Sequence, residues 1–148
     1  MSSTGILFED LFQVTQLNPT GKKFDRVNRL ACKAVTFEMD LLLDINSEIY
    51  TVRQNDKLSL VLSSTLALDG APDDGTYRPI EHEETLASRY EYVMHGRVFK
   101  YEQLTGTQVQ VSASFGGLLM RLTGEQRHLV HISIDQRIYL LIRQNRGA

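Results

Sequence analysis

Five cations fall between residues 22 and 33, namely Lys22, Lys23, Arg26, Arg29 and Lys33, against one acid, Asp25, and Phe24 sits among them. A basic strand face beside an aromatic can hold single-stranded nucleic acid, the cations neutralising phosphates while the ring stacks on a base. On the residues alone the same positions are better accounted for as a solvated outer face with Phe24 in the core. A second cluster is acidic. From Asp69 to Glu91 there are seven carboxylates and two arginines, a local charge of −5. Carboxylates at this density can hold a hard cation, but Asp73, Asp74 and the glutamates lack the one-three-five spacing of a calcium loop, so they read as a solvated loop. His128 and His131 have a spacing compatible with a ligand pair, yet no third or fourth ligand lies near them in the sequence, and they read as surface histidines. The single cysteine, Cys32, excludes an internal disulfide and a zinc knuckle, and its core-facing parity suits a small buried hydrophobe. No Gly-rich phosphate loop, Gly-x-Ser-x-Gly elbow or His-Glu-x-x-His motif is present. The sequence points away from an enzyme and implies no cofactor and no metal.

The elements that would position these residues alternate with period two. Leu30, Cys32 and Ala34 share one side of a strand, with Arg29, Ala31 and Lys33 on the other. Phe37, Met39, Leu41, Leu43 and Ile45 are opposed by Glu38, Asp40, Leu42 and Asp44, and Leu58, Leu60 and Leu62 by Lys57, Ser59 and Val61. Such alternation means sheets that bury one face, hence an antiparallel barrel or sandwich. Residues 6–14 are a first strand or an irregular lead-in, and Asn18-Pro19-Thr20-Gly21 is a turn. Ile49 to Val52 is expected to be a short strand. The segment 90–101 is strand-like with a parity change that predicts a bulge at Gly96. Arg127–Ile134 is ambiguous, and Ile138, Leu140 and Ile142 mark a last strand. The pattern breaks over 68–88, an expected mobile acidic loop, with a helical turn at 85–89. The count is about eight strands, with no internal sequence repeat.

Between Val109 and Leu122 an alternating run meets a nearly unbroken apolar one at Gly116-Gly117. The strand is expected to bend there and turn a barrel corner, the alternative being the tip of a tight hairpin. The 148 residues are expected to form one domain, and the formal net charge of −2 exerts no global pull towards nucleic acid or acidic membranes. No apolar run is long enough for a membrane helix, and Met1-Ser-Ser-Thr-Gly5 lacks the basic start of a secretory signal, so a soluble intracellular chain is expected.

Phe115-Gly-Gly-Leu-Leu-Met-Arg-Leu122, preceded by Tyr90-Glu-Tyr-Val-Met-His-Gly96, resembles the small eighth subunit shared by the nuclear RNA polymerases I, II and III. Gly5-Ile-Leu-Phe-Glu-Asp-Leu-Phe12, Lys22-Lys-Phe-Asp-Arg-Val27 and Tyr139-Leu-Leu-Ile142 are similar to the same family, so the resemblance runs end to end. It implies an all-β fold, an OB-like antiparallel Greek-key barrel spanning residues 1–148. It also implies a non-catalytic nuclear subunit that binds the largest polymerase subunit and other polymerase subunits. Weak, non-specific binding of single-stranded DNA by Lys22, Lys23, Phe24, Arg26, Arg29 and Lys33 is a further implication. The stretch Gly116, Gly117, Leu118, Leu119, Met120 and Arg121 is the candidate partner contact. A free-standing OB-type single-strand binder is the alternative.

Overall fold

A computed structural model describes residues 5–18, 26–67 and 85–145. Eight strands form in chain order: β1 (Ile6–Leu17), β2 (Val27–Ala34), β3 (Asp40–Asn46), β4 (Lys57–Ser63), β5 (Tyr92–Gln103), β6 (Gln108–Phe115), β7 (Leu118–Glu125) and β8 (Arg137–Gln144). Single 3-10 turns occupy Leu86–Arg89 and Gln126–His128. The strands close in the order β1-β2-β3-β7-β6-β5-β8-β4, every pairing antiparallel. The alternating positions dictate this. Leu30, Cys32, Leu41, Leu43, Ile45, Leu58, Leu60 and Leu62 all point into the barrel and are buried. So do Val109, Val111, Ala113, Met120, Leu122, Ile138, Leu140 and Ile142. The acidic cluster, apart from the turn at its end, lies outside the described residues.

The ring order contains 4-1-2-3 and 8-5-6-7, two Greek keys of one topology placed edge to edge. Their local geometry matches. The β1–β2 register shifts between Val14 and Gln16, and the β5–β6 register between Val98 and Lys100. Asn55 and Asp135 take positive φ of 76° and 66° in the turns before β4 and β8. Their amides donate to the carbonyls of Val14 (2.7 Å) and Val98 (2.8 Å), the residues at the two bulges. In each turn a side chain also caps a backbone amide, Asp56 that of Arg53 and Gln136 that of Ser133. The matching halves carry no readable sequence repeat, because the shared geometry asks only for inward apolar positions and a residue tolerant of left-handed φ, here Asn or Asp.

Three expectations are corrected. Gly116 and Gly117 (φ 66° and 100°) are the tip of a two-residue hairpin, with Phe115 paired to Leu118, so the chain reverses there and turns no barrel corner. The bulge near Gly96 falls at Val98–Lys100 instead. Gly96 serves close approach, since a Cβ there would sit 2.1 Å from the carbonyl oxygen of Ser114. Residues 49–52 form no strand; Val52 packs inward but Ile49 is exposed, and the segment belongs to the β3–β4 connection.

Candidate partner interface

Lys22, Lys23 and Phe24 lie outside the described residues. The other basic candidates stand on or beside β2, and each meets an acid from β3 or its following turn. Arg26 pairs with Glu48 at 3.2 Å, both well exposed. Lys33 is exposed in register with Asp40. Arg29 is held far more firmly. Its Nε donates to Oδ1 of Asp44 at 2.7 Å and its Nη2 to Oδ2 at 3.1 Å, a two-pronged pairing with a carboxylate that is only 5% exposed. These hydrogen bonds raise the guanidinium pKa further, against the lowering effect of burial. Oδ2 of Asp44 also accepts the backbone amide of Leu119 at 3.0 Å. One carboxylate therefore ties β2, β3 and β7 together, and the basic candidate Arg29 is joined to the candidate partner stretch.

That stretch divides by parity. Met120 is 1% exposed and points into the core, and half-buried Leu118 packs against the same core. Leu119 and Arg121 point outward, so any contact made by the sheet face of this stretch falls to them. Gly116 and Gly117 are exposed at the tip, where the amide of Gly117 donates to Oγ of Ser114 at 3.2 Å.

Outward side chains of five adjacent strands surround Leu119. Leu42 is opposite Arg121 across β3–β7, and Arg121 is opposite Ser112 across β7–β6. Phe99, the extra residue of the β5 bulge, closes the row. With Arg29 they line a groove of about 100 Å³. Phe99 is 50% exposed and Leu119 42%. Pockets that enclose small molecules run to roughly 300–1,000 Å³, so this groove suits contact with a surface that inserts one side chain. Sequence reasoning placed Leu42 and Asp44 at outward parity without naming them for a site, and named neither Phe99 nor Arg97, an exposed β5 residue in register with Ser114. The available signal was an apolar residue, Leu42, at an outward parity of β3.

The remaining candidates are engaged elsewhere. His128 stacks on Phe37 at 3.8 Å, and His131 is exposed beyond it. No group of three or more His, Cys, Asp or Glu able to hold a metal occurs among the described residues. Burial pushes the Cys32 thiol up to about 12, which keeps it a protonated packing group. A concavity of about 440 Å³ is lined by Thr107, Glu125, Gln126, Arg127 and Val130. Its one carboxylate, Glu125, already accepts the hydroxyl of Thr107.

A closed double Greek-key barrel of eight antiparallel strands, with Asp44 bracing three of them and an apolar groove on its outer face, is an OB-like all-β domain. Sequence comparison then places it: the family model for RNA polymerase Rpb8 matches residues 9–144, and the chain belongs to that family. It is 48% identical over 144 residues to a Caenorhabditis briggsae protein named as a probable subunit RPABC3 of DNA-directed RNA polymerases I, II and III, covering 95% of this chain and 97% of that one. Subunit 8B of RNA polymerases II, IV and V from Arabidopsis thaliana is 44% identical over 97% of this chain and 99% of its own length. The Saccharomyces cerevisiae subunit RPABC3 of polymerases I, II and III is 36% identical over 97% of this chain and all of its own.

Proposed function

We propose that this protein is a non-catalytic structural subunit of the nuclear DNA-directed RNA polymerases I, II and III. It docks on the largest subunit through the outer face of β3, β7, β6 and β5. The observation that carries the reading is the family match over residues 9–144, in which relatives named as shared polymerase subunits align along nearly their whole length. The fold says how docking can work. A closed barrel leaves no strand edge to extend, so a partner must be met by side chains on a face or by loops. Leu119, Phe99 and Arg121 offer such a face.

The free-standing single-strand binder fares less well on the described residues. Arg29 is closed by Asp44 and Arg26 by Glu48, and phosphate contacts need open cations. Affinity purification of the tagged full chain, read by mass spectrometry, separates the two. The largest subunits of all three polymerases should dominate, and Leu119→Asp should lose them without lowering the unfolding midpoint. Recovery of nucleic-acid complexes without polymerase subunits would overturn the proposal.

A further inference from the structure

The docking face carries a charge pattern that specifies what it receives. Its four strands, with neighbouring β2, carry Arg29, Arg97 and Arg121 at outward positions around Leu42, Leu119 and Phe99. Arg29 is neutralised by Asp44, and Lys100 beside Phe99 by Glu102 at 3.0 Å. Arg97 and Arg121 have neither an ion-pair nor a hydrogen-bond partner among the described residues, and both are exposed. A chain of formal charge −2 thus sets two arginines, unpaired among the described residues, on this face: Arg121 lines the groove, and Arg97 lies in register with Ser114, the neighbour of Leu119.

Resting on the docking reading above, we propose that this face receives an acidic segment of the partner subunit. The segment inserts one apolar side chain between Leu42, Phe99 and Leu119 and sets carboxylates against Arg97 and Arg121. The groove's volume of about 100 Å³ equals that of roughly three waters, room for a single aliphatic side chain. Guanidinium groups beside an anchor that excludes water form the short, two-pronged carboxylate bonds for which arginine is selected at interfaces. A nucleic-acid strand fits less well. Stacking successive bases needs successive aromatics, and Phe99 is the one aromatic lining the groove. Asp44 completes the arrangement as a positioning residue. Buried and paired to Arg29, it presents no net negative charge to an acidic partner. Its bond to the Leu119 amide holds the start of β7 so that Leu119 points outward.

The test uses the full chain and recombinant largest subunit, with affinity and association rate measured at about 50 and about 300 mM salt. Arg97→Glu/Arg121→Glu should bind on the order of tenfold more weakly at low salt, associate more slowly and lose the salt dependence of wild type. Arg97→Lys/Arg121→Lys, which keeps the charge, should retain most of the affinity and that salt dependence. Leu119→Asp should abolish binding, and circular dichroism melts confirm that each variant is folded. If Leu119→Asp abolishes binding while the glutamate pair binds as well as wild type or better, the face docks but its partner is not acidic, and this inference falls alone. If Leu119→Asp binds normally, the docking reading falls and takes the inference with it. A glutamate pair that keeps the largest subunit but loses a fluorescent oligothymidine probe would make this a nucleic-acid face and overturn the inference.

Discussion

The barrel has two opposed outer faces, each centred where equivalent strands of its two Greek keys pair with one another. At one, β4 meets β8 and Val61 lies opposite Leu141; at the other, β3 meets β7 and Leu42 lies opposite Arg121. Val61 and Leu141 are 1% and 0% exposed although their parity points out of the barrel. The chain's own return covers them. Leu86 from the 3-10 turn completes a second small core there, with Ile6, Leu66, Ala87, Tyr90, Val93 and Tyr139 packed around it. The amide of Leu86 donates to the carbonyl of Leu66 at 2.7 Å, which pins the two ends of the long connection side by side. Among the described residues, nothing of this kind covers Leu119 and Phe99 on the opposite face. Clustered outward apolar residues on a closed barrel can be covered by the chain itself, as at β4–β8, and under the proposed docking the β3–β7 face is covered by a partner instead.

If that division is right, truncations at the two faces should have opposite readouts. Leu141→Ala removes a fully buried side chain and should destabilise the isolated protein by about 2–4 kcal/mol. That is a drop of several degrees in unfolding midpoint, at roughly 2–4 °C per kcal/mol for a chain of this size. Leu119→Ser should move the midpoint by no more than about 1–2 °C while weakening assembly with the polymerase. Equal losses of stability at both faces would mean that the exposed face is covered within the chain, and the contrast would disappear.

How much of this was legible in the sequence follows from the same contrast. Inward parity and strand number were readable because most inward positions are apolar and most strands keep period two, although Asp10 stands at an inward position of β1 opposite Leu60. Alternation left barrel and sandwich open, and the family resemblance chose the barrel. The covered face was not, since Val61 on the same side as Lys57 and Ser59 looked like one stray hydrophobe, and only tertiary folding brings Leu86 onto it. Arg29 and Leu119, 90 positions apart, were assigned to separate candidate sites. They meet through Asp44, which in the sequence is merely a polar residue at the outward parity of β3. The hairpin at Gly116-Gly117 was one of two readings, and apolar residues continuing on both sides concealed the reversal. Family motifs carried the functional expectation further than composition or periodicity could.

The Asp44 brace offers a second way to test the contrast, because it stabilises the fold and shapes the exposed face together. Asp44→Ala leaves Arg29 without its partner and the Leu119 amide without its acceptor. The expected cost is about 2–3 kcal/mol, below the full penalty for splitting a buried pair because Arg29 reaches solvent. Asp44→Asn keeps an acceptor for the amide and should recover part of that stability. It strips the neutralising charge from Arg29, so under the acidic-partner reading it should bind the largest subunit at least as tightly as wild type. Weaker binding by Asp44→Asn at unchanged stability would instead show that the carboxylate itself is needed by the partner.

The smallest effect concerns where the exposed face ends, at the hairpin tip. A Cβ added at Gly117 would meet nothing within 4 Å, so Gly117→Val strains only the backbone, at φ 100°. A β-branched residue held there should cost about 1–3 kcal/mol. Gly116 has φ 66°, a left-handed conformation that asparagine tolerates, and Gly116→Asn should change stability by a few tenths of a kcal/mol. Chemical denaturation of both variants checks this order. Docking through Leu119 and Arg121 further requires that folded Gly117→Val still bind the largest subunit with an affinity close to wild type. A variant that keeps its midpoint yet fails to assemble would place the partner on the tip itself, and the exposed face would then have to be redrawn around the turn rather than around the sheet.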